Sequence, residues 1–517
     1  MKKLKLVCVA IAMACATPTL AGGLLTNTNQ HVAFNRMMSR EASIGIDGVY
    51  YNPAGVVFMG EGHHLAINWQ LAYQTRTINN DYKLFTNNVN NPITPRDFKG
   101  KAFAPVIPSF QYAYNKGKWS FQANFALTGG GGKCTFDDGL GSFEKIVAET
   151  AIAACQLAGA VDQVAGAYNV PAIFSSNQCF GTEGKYSYNS YMHGRQYYYG
   201  LSAGAAYKFS DNFSAFLGIR GVYALTNYYG YVENIQVGQM PLYKVLNPAK
   251  ESSANIELSC DQSGVGFTPI IGLDYKTGRW NFSAKYEFKT RIRLKNKSVN
   301  QIPSIGNLPD NLRNAYIANG VPEAAADAIL SNPKIQGAMV ALKTQFDSKI
   351  DGAIGEYEDG KKIAGDIPAY LAIGVGYSPV DAVRVNVGFH WFDDKNATSY
   401  NNRNKELKRG TLEYNAGVEV DVNKKITLST GWQNTNYGLS DEYMDDKSFV
   451  VSSNSVAFGG VYHINKKMDL NVAYFHTFYQ HKKTSEKVQL TAEKSINYSS
   501  DYTRNNNVFA VGLDINF

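Results

Sequence analysis

The strongest constraint on the fold of this chain is a strict alternation of apolar and polar residues that returns along most of its length. The clearest case is residues 412–422. One face of this segment is apolar and consists of Leu412, Tyr414, Ala416, Val418, Val420 and Val422. The opposite face is polar or small and consists of Glu413, Asn415, Gly417, Glu419 and Asp421. A period of two indicates a β-strand with one apolar side.

Fourteen segments of this kind follow one another, each about the length of a tilted strand that crosses a bilayer. They are residues 64–78, 103–115, 118–128, 196–209, 212–228, 263–276, 279–296, 367–379, 382–396, 409–422, 425–437, 451–464, 467–482 and 504–517. Tight turns alternate with long loops, which we expect outside the cell at 79–102, 130–195, 229–262 and 298–366. The sequence therefore predicts an all-β fold, a 14-stranded antiparallel transmembrane β-barrel over residues 63–517.

Residues 1–21 have the pattern of a secretory signal peptide. Lys2, Lys3 and Lys5 precede an apolar run, and small residues allow cleavage after Ala21. Cys15 raises the alternative of a lipoprotein site, which the residues before it fit poorly. An exported barrel of this kind is expected in the outer membrane of a Gram-negative bacterium, in contact with its lipid.

Composition excludes other classes of protein. The chain has 517 residues with 34 Tyr and 27 Phe, yet its mean hydropathy is −0.26. No apolar run of about 18 residues occurs after the signal, so helical membrane spans are not expected. The net charge of +7 comes without a dense basic block, so nucleic acid is not an expected partner.

A turn-rich segment over residues 43–55 breaks the strand pattern near the start of the chain. It is punctuated by glycines and interrupted by Asn52-Pro53-Ala54, and a short helix is expected just before it. We interpret residues 22–62 as a packed hatch that plugs the barrel, since a fourteen-stranded barrel is too wide for wall side chains to fill. The alternative is a disordered N-terminal tail.

Catalytic and metal-binding patterns are missing from the sequence. No GxSxG or HExxH motif occurs, so an enzyme is not expected, and neither a metal site nor a cofactor is predicted. Four cysteines remain after the signal, at Cys134, Cys155, Cys179 and Cys260, all in long outer loops. They permit two disulfides in three connectivities, including one from Cys260 to the earlier loop.

The long loops carry helical patterns of their own. Residues 142–166 are rich in alanine, with apolar residues at helical spacing. Residues 298–366 predict two or three helices, beginning near Pro309, Pro322 and Pro333, the last running to about Ile350. Their apolar faces need burial, and we expect them to pack against each other over the barrel mouth.

The seventh segment carries a line of cations opposite its aromatic residues. If the aromatics face lipid, then Lys285, Lys289, Arg291 and Arg293 face the lumen. One interpretation is that they are solvated or paired with Glu413 and Glu419. The other is that one of them, Lys289 or Arg291 first, binds the carboxylate of an amphiphilic substrate.

Several motifs together resemble the FadL/TodX (OmpP1) family of outer-membrane transporters for long-chain fatty acids and other hydrophobic compounds. They are Asn52-Pro53-Ala54, the run 108–114 followed by Trp119, the pattern 368–387, and fourteen strands that end on Phe517. The terminal aromatic also resembles the signal read by the barrel-assembly machinery. The four loop cysteines and the long second loop depart from the simplest pattern of this family.

The resemblance implies a transport route. A hydrophobic molecule, fatty acid or aromatic hydrocarbon, is captured in a groove among the outer loops 130–195 and 298–366. It moves to a site beside the hatch and leaves sideways through a kink in an early strand. Gly129, Gly130, Gly131 and Gly132 are the candidate kink, because glycine interrupts a strand ladder at little cost. The alternative is that these glycines only begin a flexible loop.

Two other functions fit the pattern of strands and loops. One is a porin for small solutes, general or substrate-selective, which gives no role to a packed hatch. The other is a surface adhesin on a barrel scaffold, in which the long loops bind a partner and nothing is transported. The exact substrate is open, and we expect a monomer because a plugged barrel can work alone.

Overall fold

A computed structural model of the chain describes residues 26–303, 306–340, 343, 355–490 and 494–517. Within these residues, fourteen strands run in sequence order around one closed antiparallel sheet. They are β1 Gly62–Tyr82, β2 Arg96–Lys116, β3 Trp119–Phe136, β4 Tyr186–Lys208, β5 Phe213–Val237, β6 Ile256–Thr277, β7 Trp280–Glu287 continued by Arg293–Ser298, β8 Lys362–Ala364 continued by Tyr370–Val380, β9 Val383–Phe392, β10 Thr411–Asn423, β11 Ile426–Asn436, β12 Ser453–Asn465, β13 Met468–Tyr479 continued by Lys482–Gln489, and β14 Ser495–Asn516.

The barrel closes between its first and last strands. β1 pairs with β14 from His64 opposite Asn516 to Tyr82 opposite Tyr498. Closure leaves neither terminal strand with a free edge, which a membrane requires because lipid cannot satisfy backbone N–H and C=O groups. The predicted 14-stranded barrel is therefore confirmed. Several strands run farther on the outer side than the sequence indicates, and β4 begins at Tyr186 rather than at residue 196.

The two faces of the wall differ in polarity. Many outward side chains are large and apolar, and Leu201, Leu217, Phe267 and Phe458 are each more than half exposed. Many inward positions carry small or polar residues. This is the alternation expected of strands with lipid on one side and packed protein on the other.

The described part of the hatch, residues 26–61, fills the lower part of the lumen, which is the end nearest the short turns. It contains two short helices, α1 Val32–Arg36 and α2 Gly48–Tyr51, and a 3₁₀ turn at Gly55–Phe58. Its backbone lies directly against glycines of the wall. A Cβ added to Gly431 would lie 2.3 Å from the backbone nitrogen of Met38, and one at Gly374 would lie 2.5 Å from Cβ of Glu41. Glycine is needed here because the hatch approaches too closely for any side chain.

Helices from three long loops pack together over the outer end. They are α3 Gly141–Gly166, α4 Tyr243–Leu246, α5 Leu308–Ala318 and α6 Glu323–Leu330. The apolar cluster that joins them includes Val147, Val161, Leu246, Leu312 and Ile329. Among the described residues, none of the helices has both the length and the hydropathy that a helical membrane span requires.

Some predictions fall partly or wholly outside the described residues. These are the signal peptide, the first residues of the hatch, and the end of the helix predicted to run to Ile350. The start of that helix is seen, since residues 333–340 are helical.

Candidate functional site

The Asn52-Pro53-Ala54 turn fastens the hatch to three different strands. The Asn52 Nδ2 donates to Oδ2 of Asp274 on β6 at 2.6 Å. The Pro53 carbonyl accepts from Nε2 of Gln122 on β3, and the Ala54 carbonyl accepts from Oγ of Ser214 on β5, both at 2.7 Å. The turn is therefore an anchor between the hatch and the wall.

Buried ion pairs strengthen this attachment. Arg36 and Arg40 of the hatch both contact the carboxylate of Glu419 on β10. Glu41 of the hatch lies 2.7 Å from Nε2 of His390, whose Nδ1 lies 2.8 Å from Oε2 of Glu413. Paired charges of this kind are costly to break, because the remaining charge stays buried without its partner.

A cavity of about 350 Å³ lies on the outer side of the hatch. Its volume falls in the range of about 300–1,000 Å³ typical of small-molecule sites. Phe34 and Met38 of the hatch line it together with Phe475 and Val508 of the wall, and these four belong to one apolar cluster. Phe449 contributes a further ring from an outer loop. These side chains form an apolar patch in a lining that also contains polar groups such as Gln74 and Gln196.

Two arginines face each other in the wall of this cavity. Arg76 on β1 and Arg504 on β14 are directly opposed in the ladder, and both line the cavity. Both donate to the same Oε1 of Gln74, at 3.1 Å from Arg76 and 2.6 Å from Arg504. The buried Nε of Arg504 has no hydrogen-bond partner. Among the described residues, neither guanidinium forms an ion pair with a carboxylate, so the pair presents an unmatched positive charge to the cavity.

The cations predicted on the seventh strand do not line this cavity. Lys285 points inward as expected, but it donates to the Tyr50 carbonyl of the hatch and lies 3.0 Å from Oε1 of Glu287. Lys289 donates to the carbonyl of Asn396 at 3.0 Å. Lys285 therefore holds the hatch, and Lys289 bonds a neighbouring loop.

The predicted lumenal position of Arg291 and Arg293 is wrong. Strand β7 is interrupted between Glu287 and Arg293, and its two faces exchange there. Ile292 and Leu294 pack inside the wall in one apolar cluster, while Arg291 and Arg293 are exposed on the outer surface. The suggested pairing with Glu413 and Glu419 is wrong as well, since Glu419 contacts Arg36, Arg40 and Arg384, and Glu413 contacts His390.

The wall beside the cavity is interrupted between β2 and β3. The ladder pairs Phe103 with Lys133 and resumes only at Ser109 with Ala126. The unpaired stretch of β2 contains Pro105 and Pro108, which have no backbone N–H to donate. The unpaired stretch of β3 contains Gly129–Gly132, and Gly130 and Gly132 also line the cavity.

The glycines of β3 shape this interruption. Gly130 has φ +71°, and a Cβ added there would lie 2.4 Å from the carbonyl oxygen of Gln196 on β4. Asn27 at the start of the described hatch occupies part of the unpaired edge. Its backbone N–H donates to the Thr128 carbonyl at 3.0 Å, and its Nδ2 donates to the Gly130 carbonyl at 2.8 Å. The hatch therefore satisfies backbone groups that β2 leaves free.

Comparison with solved structures finds the same arrangement over nearly the whole chain. A FadL homologue of Pseudomonas aeruginosa matches with a TM-score of 0.58 at 14% identity, covering 96% of this chain and 100% of that one. The deltaS2S3 mutant of the TodX monoaromatic hydrocarbon channel matches with a TM-score of 0.53 at 14% identity, covering 94% and 99%. The Pseudomonas putida toluene transporter TodX matches with a TM-score of 0.50 at 13% identity, covering 96% and 100%.

This chain has the FadL/TodX fold. No family model matches its sequence, and no curated protein matches it. The similarity therefore lies in the three-dimensional arrangement, while the sequence has diverged widely. The fold is a closed antiparallel barrel with an apolar outer surface, which is the architecture predicted from the sequence for an outer-membrane protein.

A second, smaller cavity lies among the outer helices of this FadL/TodX fold. It has a volume of about 50 Å³ and is lined almost entirely by apolar side chains. Leu157 and Val161 come from α3, Leu246 from α4, and Leu312 from α5, with Phe174 between them. It joins the predicted loops 130–195 and 298–366, with a contribution from the loop 229–262.

The four cysteines do not form the expected disulfides in this structure, where all are buried free thiols. Cys155 and Cys179 share the apolar cluster of the outer helices, and Cys134 lies in a separate cluster with Phe136. Cys260 packs against Tyr228 and Tyr357 in a third cluster. A bridge from Cys260 to the earlier loop is therefore not formed, because its neighbours are aromatic rings.

Three buried carboxyl groups of the outer loops have raised pKa values. Burial raises the pKa of Glu356 to about 8, and one of its carboxyl oxygens has no hydrogen-bond partner. Burial likewise raises the pKa of Asp394 to about 7 and that of Asp446 to about 6. Desolvation disfavours the charged form of each group, so each holds its proton to a higher pH than a solvent-exposed carboxyl group does.

Sequence reasoning missed Arg76 and Arg504, although a signal was present. Arg76 continues the polar face that begins at Ala66 and includes Gln74. Arg504 precedes Val508 by four residues and Ala510 by six, so the alternation places it with them on the inward face of the last strand. Combining this alternation with barrel closure would have placed both cations in the lumen.

Proposed function

We propose that this chain transports hydrophobic molecules across the outer membrane and that its principal substrates are long-chain fatty acids. The observation that carries the proposal is the cavity itself, which is closed below by the hatch and borders the interrupted ladder between β2 and β3. Apolar side chains receive the hydrocarbon chain, and Arg76 with Arg504 receives the carboxylate. Charge-assisted hydrogen bonds of this type are the strong ones in proteins.

The route begins at the outer helices and ends in the lipid. The apolar surfaces of α3, α4 and α5 first contact the molecule, which then descends to the cavity above the hatch. Movement of Asn27 away from β3 opens the stretch at Gly129–Gly132 for lateral exit. This route suits an apolar molecule, because crossing water costs about 0.8 kcal/mol for each CH₂ group.

The experiment measures uptake of labelled oleate by cells that lack their own transporter, with oleate held at a limiting concentration. The intact chain is expected to restore uptake, and Arg76→Gln/Arg504→Gln to reduce it about tenfold or more, because two charged donors are lost. Uptake of toluene by the same variant is the control. Toluene has no carboxylate, so its uptake is expected to stay unchanged if the chain carries it.

Transport of monoaromatic hydrocarbons is the second candidate, and it is favoured by the similarity to TodX. Full oleate uptake by the double variant would contradict the assigned head-group site. Restoration of toluene uptake alone would favour this second candidate.

Replacing Asn52-Pro53-Ala54 by three glycines tests the role of the hatch in uptake. A large steady ion conductance of the intact chain in planar bilayers would instead indicate a porin.

A further inference from the structure

The cations of β7 form an exposed patch on the outer surface of the wall. We call it the β7 cationic patch, and it consists of Arg291, Arg293, Lys295, Lys297 and Lys362. The first four follow one another on alternate positions of β7. Lys362 belongs to β8 and is paired directly with Lys295 in the ladder. The patch therefore concentrates positive charge on two adjacent strands.

Few carboxylates balance this charge. Arg293 bonds Oδ1 of the buried Asp366 at 2.8 Å. Asp261 stands opposite Lys297 in the ladder and offsets part of its charge, while its Oδ1 accepts from the neutral amide of Asn227. In the described part of the chain, Arg291, Lys295, Lys297 and Lys362 have no carboxylate within ion-pair distance. Two lysines directly opposite each other repel, and an anion bound between them removes that repulsion.

The position of the patch identifies the anion. On β7 the outward residues from Trp280 to Phe288 are mainly aromatic, and the cations begin immediately after them. On the neighbouring β6, Val265 and Phe267 are 57% and 63% exposed, and the next outward residue is Ser263, opposite Lys295. The patch thus straddles the end of the lipid-facing surface on the side of the long loops, with Arg291 and Arg293 level with Phe267 and Val265 and the lysines beyond them. This is the depth of lipid head groups in the outer leaflet.

We propose that the β7 cationic patch binds the phosphate groups of a phosphorylated glycolipid in the outer leaflet. Arginine and lysine bind phosphate through charge-assisted hydrogen bonds, while the acyl chains lie along the apolar surface below. A free phosphate ion would lack the second of these contacts. The proposal concerns the outside of the barrel and does not depend on which molecule the lumen transports.

The test measures lipid binding by the purified full-length chain in detergent, using native mass spectrometry. The probes are bisphosphorylated lipid A and the same lipid after enzymatic removal of both phosphates. The test variant is Arg291→Gln/Lys295→Gln/Lys297→Gln/Lys362→Gln. The control variant is Lys424→Gln/Lys425→Gln/Lys466→Gln/Lys467→Gln, which removes four exposed lysines from the short turns at the opposite end of the barrel.

The intact chain and the control variant are expected to bind bisphosphorylated lipid A about tenfold or more tightly than the test variant does. Dephosphorylated lipid is expected to bind weakly to all three proteins. Equal affinity of the test variant and the intact chain would overturn the proposal. An equal loss in the control variant would overturn it too, since the effect would then follow net charge alone.

Folding is checked by the heat-dependent mobility of the barrel on gels, which these exposed substitutions are expected to leave unchanged. If the fourfold variant does not fold, Lys295→Gln/Lys362→Gln replaces it. This double variant is expected to lose several-fold in affinity for bisphosphorylated lipid A. Full retention of affinity by a folded double variant would overturn the proposal.

Discussion

The lower and upper halves of the lumen both contain inward-facing arginines. The two halves differ in whether these arginines contact a carboxylate. In the half filled by the hatch, Arg36 and Arg40 share Glu419, and Arg220 contacts Glu287. In the half that forms the cavity, the hydrogen bonds of Arg76 and Arg504 to other described residues all go to neutral oxygens. Buried charge is balanced where the protein fills the space and unbalanced where the space is left open.

This difference separates structural charge from charge available to a ligand. A guanidinium that already contacts a carboxylate contributes to folding and has little capacity for a further anion. A guanidinium without one retains its donors for a bound molecule. The four predictions below test this distinction, and they run from the largest expected effect to the smallest.

Breaking a balanced pair is expected to have the largest effect. Arg220→Gln leaves Glu287 with Lys285 alone in a buried site, which is expected to lower the free energy of unfolding by about 3–5 kcal/mol. Urea unfolding in micelles, followed by tryptophan fluorescence, measures the loss. Arg279→Gln is the control, because its partner Asp381 is exposed, and its stability is expected to match that of the intact chain.

The pH dependence of stability is expected to come from the outer half. Glu356 has a pKa of about 8 in the folded chain, above its ordinary value of 4.5, so the folded state holds its proton more tightly. Stability is therefore expected to fall as pH rises from about 5 to 8, and to level off above 8. Urea unfolding of Glu356→Gln across this range is expected to give a flatter profile. An unchanged profile would contradict the assignment, and the exposed Glu358→Gln serves as control.

The glycine at the wall interruption is expected to affect transport more than stability. Gly130→Ala places a Cβ against the Gln196 carbonyl at a positive φ, which costs about 1–2 kcal/mol and shifts β3. Oleate uptake measures the result and is expected to fall several-fold. Gly117→Ala has a similar φ of +58° but no atom within 4 Å of its Cβ, so it carries the strain without the contact. Equal uptake by the two variants would argue against a gate here.

The smallest effect is expected at the unbalanced pair, with the opposite sign. Arg76→Gln removes repulsion with Arg504, so the free energy of unfolding without ligand is expected to stay the same or rise by up to about 1 kcal/mol. The same urea assay measures it. A loss as large as that of Arg220→Gln would show that Arg76 is a structural cation and would remove the distinction between the two halves.

The barrel was predictable because one physical rule governs it. Lipid on one side and packed protein on the other impose a period of two, so the strands and their tight turns follow from the sequence. The interaction of hatch and wall was predictable only in outline. The contacts of the inward Gly374 and Gly431 with Glu41 and Met38 join residues distant in sequence, so no local pattern indicates them.

The error at β7 has a clear cause. Apolar residues were assigned to the lipid side along the whole strand, and this holds from Trp280 to Phe288. At the depth of the head groups the outer surface is polar and the inside is apolar, so Ile292 and Leu294 turn inward. The alternation is the same on both sides of the break, and it carries no mark of the exchange of faces. The outer helices pose a similar difficulty, because their packing depends on three separate loops.

The seam between β1 and β14 has a consequence for biogenesis. Arg76 and Arg504 belong to the first and last strands, which become neighbours only when the sheet has closed on itself. A chain that has inserted every strand but has not sealed this seam has a hatch and apolar walls, but no paired cations. Ligand binding that depends on both arginines therefore reports a completed barrel, and an unfinished one has no such affinity.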